Sequence, residues 1–425
     1  MKILFATSEW PGHYFCMVPL GWALQAAGHE VRVVCKPSQV PALGGAGLTP
    51  APVGDGPDLA LLTRVVHHTE VSMGLRPQHG PLLNPFTGRP LGEPGEPDIA
   101  VEGPKFFRET AEAVRRGCDN IVAFARDWRP DLVLYDVMAA EGALAARVVE
   151  VPSVLCAPGL FGTVETEKAL DVGPADPVEH FDRYGVGPWG RHRVEYIVDP
   201  SPDRAVPPLA GALRLPVRFV PYNGRAAARP GAVPARGGPR VCVLWGNSAT
   251  RMFGPRVPGL RHALEAAADL AHDVLFVAGA EQVEALRPFP GNVHPLPGHP
   301  LHLALEGSDL LIDHSSDNPI MNAFAAGVPR LGLALSDDHF AYGRRSDALG
   351  VSRTLPGLTA SREEVRAAVG EILRTPPLRE AAAGLRADVL ARPAPSRLVP
   401  VLERLAAAGS LGPDDVTYAV PAPRS

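Results

Sequence analysis

The chain has little of several features that mark large protein classes. Its five cysteines are odd in number, scattered and without CxxC spacing, which gives no indication of a disulfide framework or a zinc site. Its apolar runs fall far short of the roughly 20 residues that span a bilayer, so no membrane insertion is expected. Its formal net charge is −5, so a nucleic-acid partner is not expected either. Because the N-terminus enters a strand without a basic leader, the expected location is a reducing cytoplasm.

What the chain does have is an alternation of strand-like and helix-like apolar spacing. KILFAT, VPLGWALQAAG and HEVRVVC read as strand, helix and strand, and the helix ends at Gly28. A βαβ unit this short implies parallel strands. The alternation continues through the strand VPSVLCAPG at 151–159, is followed by a Pro/Gly-rich stretch over 221–239, and restarts at residue 240. In the second half it includes a helix over 319–326 and a capping box, SREE, that opens a helix after Ser361.

This alternation predicts an α/β protein with two doubly wound domains that face each other across a cleft. The predicted bounds are 1–220 for the N-terminal domain, 221–239 for a linker and 240–390 for the C-terminal domain. A closing helix over 391–410 is predicted to pack back on the N-terminal domain.

Two side chains of the first half are candidates for acid–base chemistry. Open α/β domains bind ligands at the C-terminal ends of their strands. His13 follows the first strand there, and imidazole can take a proton from a hydroxyl near neutral pH. Asp136 ends the strand DLVLYD on the same rim, where its carboxylate could bond to the far ring nitrogen and orient His13. The alternatives are a loop histidine without a catalytic task and an aspartate that caps the following turn.

Two loops of the second half are candidates for phosphate binding. In WGNSATR, Gly246 allows close backbone approach, and Asn247 and Ser248 can donate to phosphate oxygens. The stretch DHSSDNPIMNAFAAGVP begins a helix where an anion is attracted, because the first amide groups are unpaired. It lacks the glycines that such loops usually carry. We expect Pro319 to be the first helical residue and Asn318 to cap it.

At this point the chain resembles a known family. HYFCMVPLGWALQAAGHEVRVV, WRPDLVLYD, VDPSPDRAVPP…RFVPYNG and LARPAPSRLVPVLERLA are similar, in order and over nearly the whole length, to segments of the actinobacterial macrolide and polyketide glycosyltransferases. The resemblance implies a GT-B fold of two Rossmann-like domains, the N-terminal one binding the acceptor and the C-terminal one the nucleotide sugar. It implies an inverting transfer of a deoxysugar from a dTDP- or other nucleotide-linked donor to a natural-product aglycone.

The resemblance also implies roles for individual residues. His13 falls on the general base, and Asp136 is its candidate partner. The positions that correspond to donor-binding residues are Gly246, Asn247, Ser248, His314, Ser315, Ser316, Asn318, Asn322, Asp338 and His339. His314 keeps the histidine of the family pattern HGGxGT, and Asn318 matches the asparagine of its plant form HCGWNS. Asp338 and His339 fall on an Asp–Gln pair that holds sugar hydroxyls, and Asn322 lies where plant relatives place a ribose-binding acid.

No metal and no cofactor beyond the donor co-substrate are implied, because the loop donors take the place of a cation. The expected partners are the aglycone, the nucleotide sugar and either a helper protein or a second copy of the chain.

Asp317 departs from the family pattern in a way that leaves three alternatives. A carboxylate aimed at a diphosphate would cost affinity, roughly 1 kcal/mol in water and more in a drier site. Either Asp317 points outward, or the donor is unusual, or the site no longer binds a donor. Two rival functions therefore stand beside sugar transfer: a partner or activator protein without activity, and another reaction on the same fold such as sugar-nucleotide epimerisation.

Overall fold

The chain builds two parallel β-sheets, one in each of two compact units. The computed structural model describes residues 1–75, 82–89, 91–92, 95–165, 167–170, 177–416 and 418. The first unit combines Met1–Gly56, Glu109–Gly224 and Asp388–Ser425, and the second combines Pro57–Arg108 and Arg225–Ala387. Neither unit is one continuous stretch of chain, and the predicted domain bounds stay a prediction.

The strands in chain order are β1 (Lys2–Ala6), β2 (Glu30–Val34), β3 (Pro50–Ala51), β4 (Leu132–Asp136), β5 (Ser153–Cys156), β6 (Tyr196–Asp199), β7 (Leu213–Pro216), β8 (Arg240–Leu244), β9 (Asp273–Val277), β10 (Val293–Pro295), β11 (Leu310–Asp313), β12 (Arg330–Ala334) and β13 (Ser352–Pro356).

The helices are α1 (Pro11–Phe15), α2 (Met17–Ala26), α3 (Val40–Gly45), α4 (Leu59–Ser72), α5 (Ile99–Trp128), α6 (Glu141–Val148), α7 (Pro177–Arg183), α8 (Asn247–Phe253), α9 (Pro258–Leu270), α10 (Ala280–Ala285), α11 (Leu301–Leu305), α12 (Asp317–Ala326), α13 (Asp337–Ala348), α14 (Arg362–Arg374), α15 (Pro376–Ala391) and α16 (Pro395–Ala408).

Both sheets have the strand order of a doubly wound α/β domain. The first runs β3-β2-β1-β4-β5-β6-β7 and the second β10-β9-β8-β11-β12-β13, with every neighbouring pair parallel. The order reverses between β1 and β4 in one sheet and between β8 and β11 in the other. Chain crossovers leave in opposite directions at such a point, which opens a crevice at the strand ends.

The C-terminal helix completes the core of the first unit. Leu398, Val401, Leu402 and Leu405 of α16 are fully buried and belong to the same hydrophobic cluster as Val18 of α2. Their spacing of three, one and three residues places all four on one face of the helix. Removing α16 would therefore expose this part of the core.

The sequence predicted the N-terminal caps of two helices, and the structure confirms one of them and contradicts the other. At α14, Ser361 accepts from the Glu364 amide and Glu364 bonds back to the Ser361 amide, so the predicted capping box is confirmed. At α12 the predicted cap is wrong, because the helix begins at Asp317 and its N-cap is Ser316. Pro319 then lies in the first turn, where amide groups have no intrahelical partner and a proline costs no hydrogen bond.

Candidate functional site

Polar side chains meet where the strand order of the first sheet reverses. β1 and β4 pair from Ile3↔Leu132 to Ala6↔Tyr135, so their C-terminal ends lie side by side. Ser8 follows β1, and its hydroxyl donates to Asp136 Oδ2 at 2.9 Å while its amide donates to the same oxygen at 2.7 Å. The Ser8 Oγ also lies 3.5 Å from His13 Nδ1. The predicted residues His13 and Asp136 are therefore linked through Ser8.

Ser8 was not predicted, and its position shows how the three groups can act together. Because its hydroxyl proton points to Asp136, its oxygen is left to accept from His13 Nδ1–H. That arrangement favours the tautomer in which Nε2 carries the basic lone pair. Ser8 is the second residue after β1. Its position just past a strand end is the one feature of the sequence that could have identified it as a site residue.

Two carboxyl groups near the reversal point of the first sheet have raised pKa values. Burial raises the pKa of Asp136 to about 6, against the lowering effect of the Met138 and Ser8 amides that donate to it. Burial also raises the pKa of Glu141 to about 7, and the nearby Asp136 raises it further while Lys36 lowers it. Near neutral pH the rim of the first sheet therefore holds carboxyl groups that can still carry protons.

The reversal point of the second sheet brings together two of the predicted loops. β8 and β11 pair from Leu310↔Val241 to Ile312↔Val243, so the residues after them are neighbours. The His314 ring packs on Trp245 with 5.7 Å between ring centroids. A Cβ added to Gly246 would lie 3.0 Å from His314 Cε1, which is why a glycine stands there. Of the other predicted residues in this loop, Ser248 is half-buried beside Gly246 and Asn247 is exposed.

Ser315 takes the left-handed backbone conformation that glycine normally supplies. Its φ is +64°, and it is fully buried. Its amide donates to Asp313 Oδ1 at 2.6 Å, and Asp313 forms a two-bonded ion pair with Arg330, at 2.8 and 2.9 Å. The Ser315 side chain fits because its neighbours are glycines: a Cβ on Gly332 or Gly343 would lie within 2.9 Å of Ser315 Oγ. Buried contacts thus replace the missing glycine.

Asp317 does not point outward. It is only 8% exposed, and its carboxylate is held by the backbone amides of Asn318 and of Asp317 itself at the start of α12. Burial raises the pKa of Asp317 to about 7, and the charge of Asp338 raises it further. The first of the three alternatives stated for this residue is therefore wrong, because backbone donors draw the carboxylate to the helix start instead of to solvent.

The two residues matched to the sugar-binding pair are placed differently from each other. Asp338 is half-buried in the first turn of α13 and accepts from the Ser336 hydroxyl. His339 is buried against His314, with 5.2 Å between the ring centroids, and its Nδ1 faces the Leu335 amide at 3.4 Å. His339 therefore supports the His314 ring.

The predicted asparagines contact each other. Asn322 is buried, and its amide donates to the backbone oxygen of Asn318 at 2.9 Å and to the Asn318 side chain at 3.2 Å. Asn322 thus holds the first turn of α12 from within the helix.

Several buried polar atoms around His314 have no partner among the described residues: Trp245 Nε1, His314 Nδ1 and Asp317 Oδ2. Ser316 Oγ lies 3.0 Å from His314 Nε2. Burial lowers the pKa of His314 far below its usual value, and the charges of His339 and Arg330 lower it further. A neutral His314 whose Nε2 accepts from Ser316 carries its proton on Nδ1 and can donate it to a bound oxygen. Buried polar atoms left unpaired in this way indicate a ligand site.

The described ranges contain neither a metal-binding cluster nor a membrane-spanning helix. His, Cys, Asp and Glu side chains in the described ranges nowhere gather in a group of three that could hold a metal ion. Among the helices that the structure describes, none combines the length and the apolar character that crossing a membrane takes.

Comparison with known proteins gives matches along nearly the whole chain. Residues 22–78 and 106–246 match the family described as erythromycin biosynthesis protein CIII-like, N-terminal domain, and residues 261–405 match its C-terminal domain. The 10-deoxymethynolide desosaminyltransferase of Streptomyces venezuelae is 31% identical over 98% of this chain and 100% of its own length. The TDP-daunosamine transferase DnrS of Streptomyces peucetius is 32% identical over 96% of this chain and 97% of its own.

Solved structures agree with these matches. The spinosyn rhamnosyltransferase SpnG, complexed with thymidine diphosphate, aligns with a TM-score of 0.70 at 25% identity and covers 95% of this chain and 100% of its own. The glycosyltransferase VinC, in complex with dTDP, aligns with a TM-score of 0.70 at 25% identity over 96% of this chain and 100% of its own.

Proposed function

The chain belongs to the erythromycin biosynthesis protein CIII-like family of glycosyltransferases, and we propose that it transfers a deoxysugar from a dTDP-linked donor to a natural-product aglycone with inversion at the anomeric carbon. The prediction of a GT-B glycosyltransferase is confirmed. The observation that carries the proposal for this chain is the loop at the reversal point of the second sheet. There, an unpaired buried His314 Nδ1 lies beside the first turn of α12.

The donor diphosphate is proposed to bind at this loop. The dipole of α12 attracts anions to the start of the helix, where the amides of Asp317 and Asn318 donate to the Asp317 carboxyl. His314 Nδ1–H adds a neutral donor whose tautomer is held by the Ser316 hydroxyl, and Ser248 lies beside Gly246 at the other strand end. Such fixed donors stabilise the charge that develops on the leaving diphosphate. Metal-independent transfer is part of the proposal.

The acceptor is proposed to be activated at the first sheet. His13 Nε2 takes the proton of the acceptor hydroxyl as that oxygen attacks the anomeric carbon, and the diphosphate leaves from the opposite face. The link from Asp136 through Ser8 holds the His13 ring in the required tautomer and stabilises its protonated form. Asp136 thus acts through Ser8 as a positioning residue.

A pair of measurements on His13→Ala tests this assignment. A general base contributes about 10²–10⁴ to a rate, so transfer from a dTDP-sugar should fall by at least about a hundredfold. The affinity for dTDP, measured by calorimetry, should not change. His192→Ala, an exposed histidine of the same unit, is the matched control. Unchanged turnover of the His13 variant would remove it from the mechanism, and no binding of millimolar dTDP to the parent protein would overturn the function itself.

The remaining features of the proposal concern partners and location. The names of the similar proteins specify 10-deoxymethynolide, aklavinone and tylactone, and we propose an aglycone of this general kind for this chain. None of the five cysteines forms a disulfide bond, which supports a reducing cytoplasm. A helper protein or a homodimer stays a prediction, and turnover by the purified monomeric chain alone would contradict it.

A further inference from the structure

The second unit has a cavity that the proposed reaction does not use. Its volume is about 650 Å³, and its wall includes Pro239, just before β8, and Asp309, just before β11. The cavity therefore lies at the N-terminal ends of these strands, whereas the proposed donor loops follow their C-terminal ends. β8 has five residues, which at about 3.3 Å each separate the two places by roughly 16 Å. The cavity is thus distinct from the donor site.

The charged residues of the cavity wall are three arginines and one aspartate: Arg236, Arg374, Arg379 and Asp309. Arg236 Nη2 donates to both carboxylate oxygens of Asp309 at 2.8 Å, and the Arg240 amide donates to Asp309 Oδ2 at 2.8 Å. The charge of Asp309 is therefore already balanced by Arg236. Arg374 and Arg379 leave the wall with two positive charges that no carboxylate of the wall balances.

These two arginines have no partner in the surroundings of the cavity either. Their side chains form no ion pair and no hydrogen bond with the part of the chain that the structure describes. Asp273, at the start of β9, is paired with Arg240 at 3.2 Å, and Glu380 does not belong to the cavity wall. Two guanidinium groups around one cavity repel each other, and a bound anion would replace that repulsion with attraction.

The helices that carry the two arginines hold them at the cavity. Arg374 lies in the last turn of α14, and its Nη1 would be 2.9 Å from a Cβ placed on Gly370, one turn earlier. Because Gly370 has no side chain, the guanidinium can lie against α14 in the cavity wall. Arg379 is the fourth residue of α15, whose first turn has no acidic side chain. A cation near the start of a helix is disfavoured by the helix dipole, whereas an anion bound there is favoured.

The rest of the wall suits an apolar group. Leu270, Leu373 and Pro239 line the cavity beside the arginines, and its volume is in the range of small-molecule sites. The planar fork of an arginine matches two oxygens of a phosphate group. A ligand that satisfies both parts of the wall carries a phosphate group and an apolar part.

We propose that this cavity binds a small organic phosphate, with Arg374 and Arg379 on the phosphate oxygens and the organic part against the apolar wall. Arg236, fixed by Asp309 and by the Gly307 carbonyl at 2.8 Å, forms the rigid side of the site. The site is a second anion site of the chain, at the opposite edge of the sheet from the proposed donor loop. It therefore does not depend on the proposed function.

Calorimetric titrations of the full chain with phenyl phosphate, inorganic phosphate and benzoate test this site. Saturating dTDP is present throughout, so that the proposed donor loop is already filled. Phenyl phosphate should bind at least about fivefold more tightly than benzoate, because a phosphate group brings up to two charges where a carboxylate brings one. It should bind at least about threefold more tightly than inorganic phosphate, because its ring covers the apolar wall.

Two arginine variants locate the binding. Arg374→Gln and Arg379→Gln should each weaken the binding of phenyl phosphate about fivefold, and the double variant should weaken it at least about tenfold. Both side chains are exposed, so the thermal unfolding of the variants should match that of the parent protein. Arg366→Gln is the matched control, because it removes an exposed arginine of the same helix that pairs with Asp269 at 3.5 Å. It should change the affinity by less than about twofold.

Three outcomes would overturn the second anion site. Phenyl phosphate could fail to bind the parent protein at millimolar concentration, it could bind the double variant as tightly as the parent, or benzoate could bind equally well. Each of these results would leave the proposed function intact, provided that dTDP binds. If dTDP failed to bind, the proposed function would be wrong, while a loss of phenyl phosphate binding in the arginine variants would still support the cavity as a site.

Discussion

Ser8 lies between His13 and Asp136, two side chains for which the sequence predicts a direct hydrogen bond. Its hydroxyl is 2.9 Å from Asp136 and 3.5 Å from His13, so a single small side chain orients the proposed base. Asp136 is fully buried and His13 is half-buried. The carboxylate therefore lies in a dry environment, while the imidazole is exposed enough for the proposed contact with the acceptor.

Ser8→Ala should slow transfer without weakening donor binding. The variant removes the hydrogen-bond link and leaves His13 free to adopt the other tautomer, so we expect kcat to fall by about tenfold to a hundredfold, a part of what a general base contributes. Ser8→Thr keeps the hydroxyl and should restore most of the rate. Ser38→Ala, at an exposed serine, is the control. A kcat in Ser8→Ala equal to that of the parent protein would show that the link is structural only.

Asp317→Asn should change how stability depends on pH. A carboxyl whose pKa is raised in the folded state, here to about 7, binds protons more tightly folded than unfolded, so stability falls as pH rises from about 4 to 7. The amide cannot ionise and avoids this cost, up to about 4 kcal/mol. Urea unfolding at pH 5 and pH 8 should show a stabilising effect that grows with pH. An equal effect at both values would contradict a raised pKa, and Asp337→Asn should show little effect at either.

At the scale of elements, the loop between β11 and α12 keeps its shape without glycine. Ser315 occupies the left-handed region, and the Asp313–Arg330 pair fixes the backbone on either side of it. Because both partners of this pair are fully buried, loss of either would leave an uncompensated charge in the core. The ion pair explains why a serine is tolerated where the family pattern has glycine.

Substitutions at Ser315 test this explanation. Ser315→Gly should be tolerated within about 1 kcal/mol, because glycine adopts the left-handed region freely but loses the Arg330 contact. Ser315→Val should lower the free energy of unfolding by about 1–3 kcal/mol, since a β-branched residue is strained at φ near +64°. It should also weaken dTDP binding, which calorimetry measures. Equal stability of the two variants would indicate that the loop simply adopts another conformation.

At the scale of the whole molecule, each unit has its own parallel sheet and its own hydrophobic clusters. In the first unit α16 packs against α2, so residues near position 400 and residues near position 20 share one hydrophobic core. The folding of that unit therefore requires α16 as well as the elements of the first half of the chain. The proposed donor-binding loop, between β11 and α12, lies wholly in the second unit.

Leu402→Ala should destabilise the first unit and leave donor binding unchanged. The side chain is fully buried in α16, and such truncations cost about 2–5 kcal/mol. Leu390→Ala, at a leucine that is 44% exposed, should change stability by less than about 0.5 kcal/mol. Thermal unfolding measures the first effect and dTDP titration the second. A large loss of dTDP affinity in Leu402→Ala would show that the donor loop depends on this core.

Much of the architecture could be read from the sequence alone. The strands that begin at Lys2, Glu30, Leu132 and Arg240 and the helix α2 lie where apolar spacing predicts them, and α14 begins at its predicted capping box. Local periodicity reports which face of an element is buried, and parallel strands place their following loops on one rim. For that reason His13, Asp136, Gly246 and His314 could be placed at strand ends without a structure.

Only the tertiary structure decided what those side chains contact. Ser8 reaches Asp136 through the register of β1 and β4, whose paired residues are 129 positions apart in the sequence. The left-handed Ser315 depends on a buried ion pair and on glycines of other elements. Asp317 turns inward to backbone amides of α12, and His339 of α13 packs on His314. Side-chain direction at a loop is set by such non-local contacts, because the local backbone alone leaves several directions nearly equal in free energy.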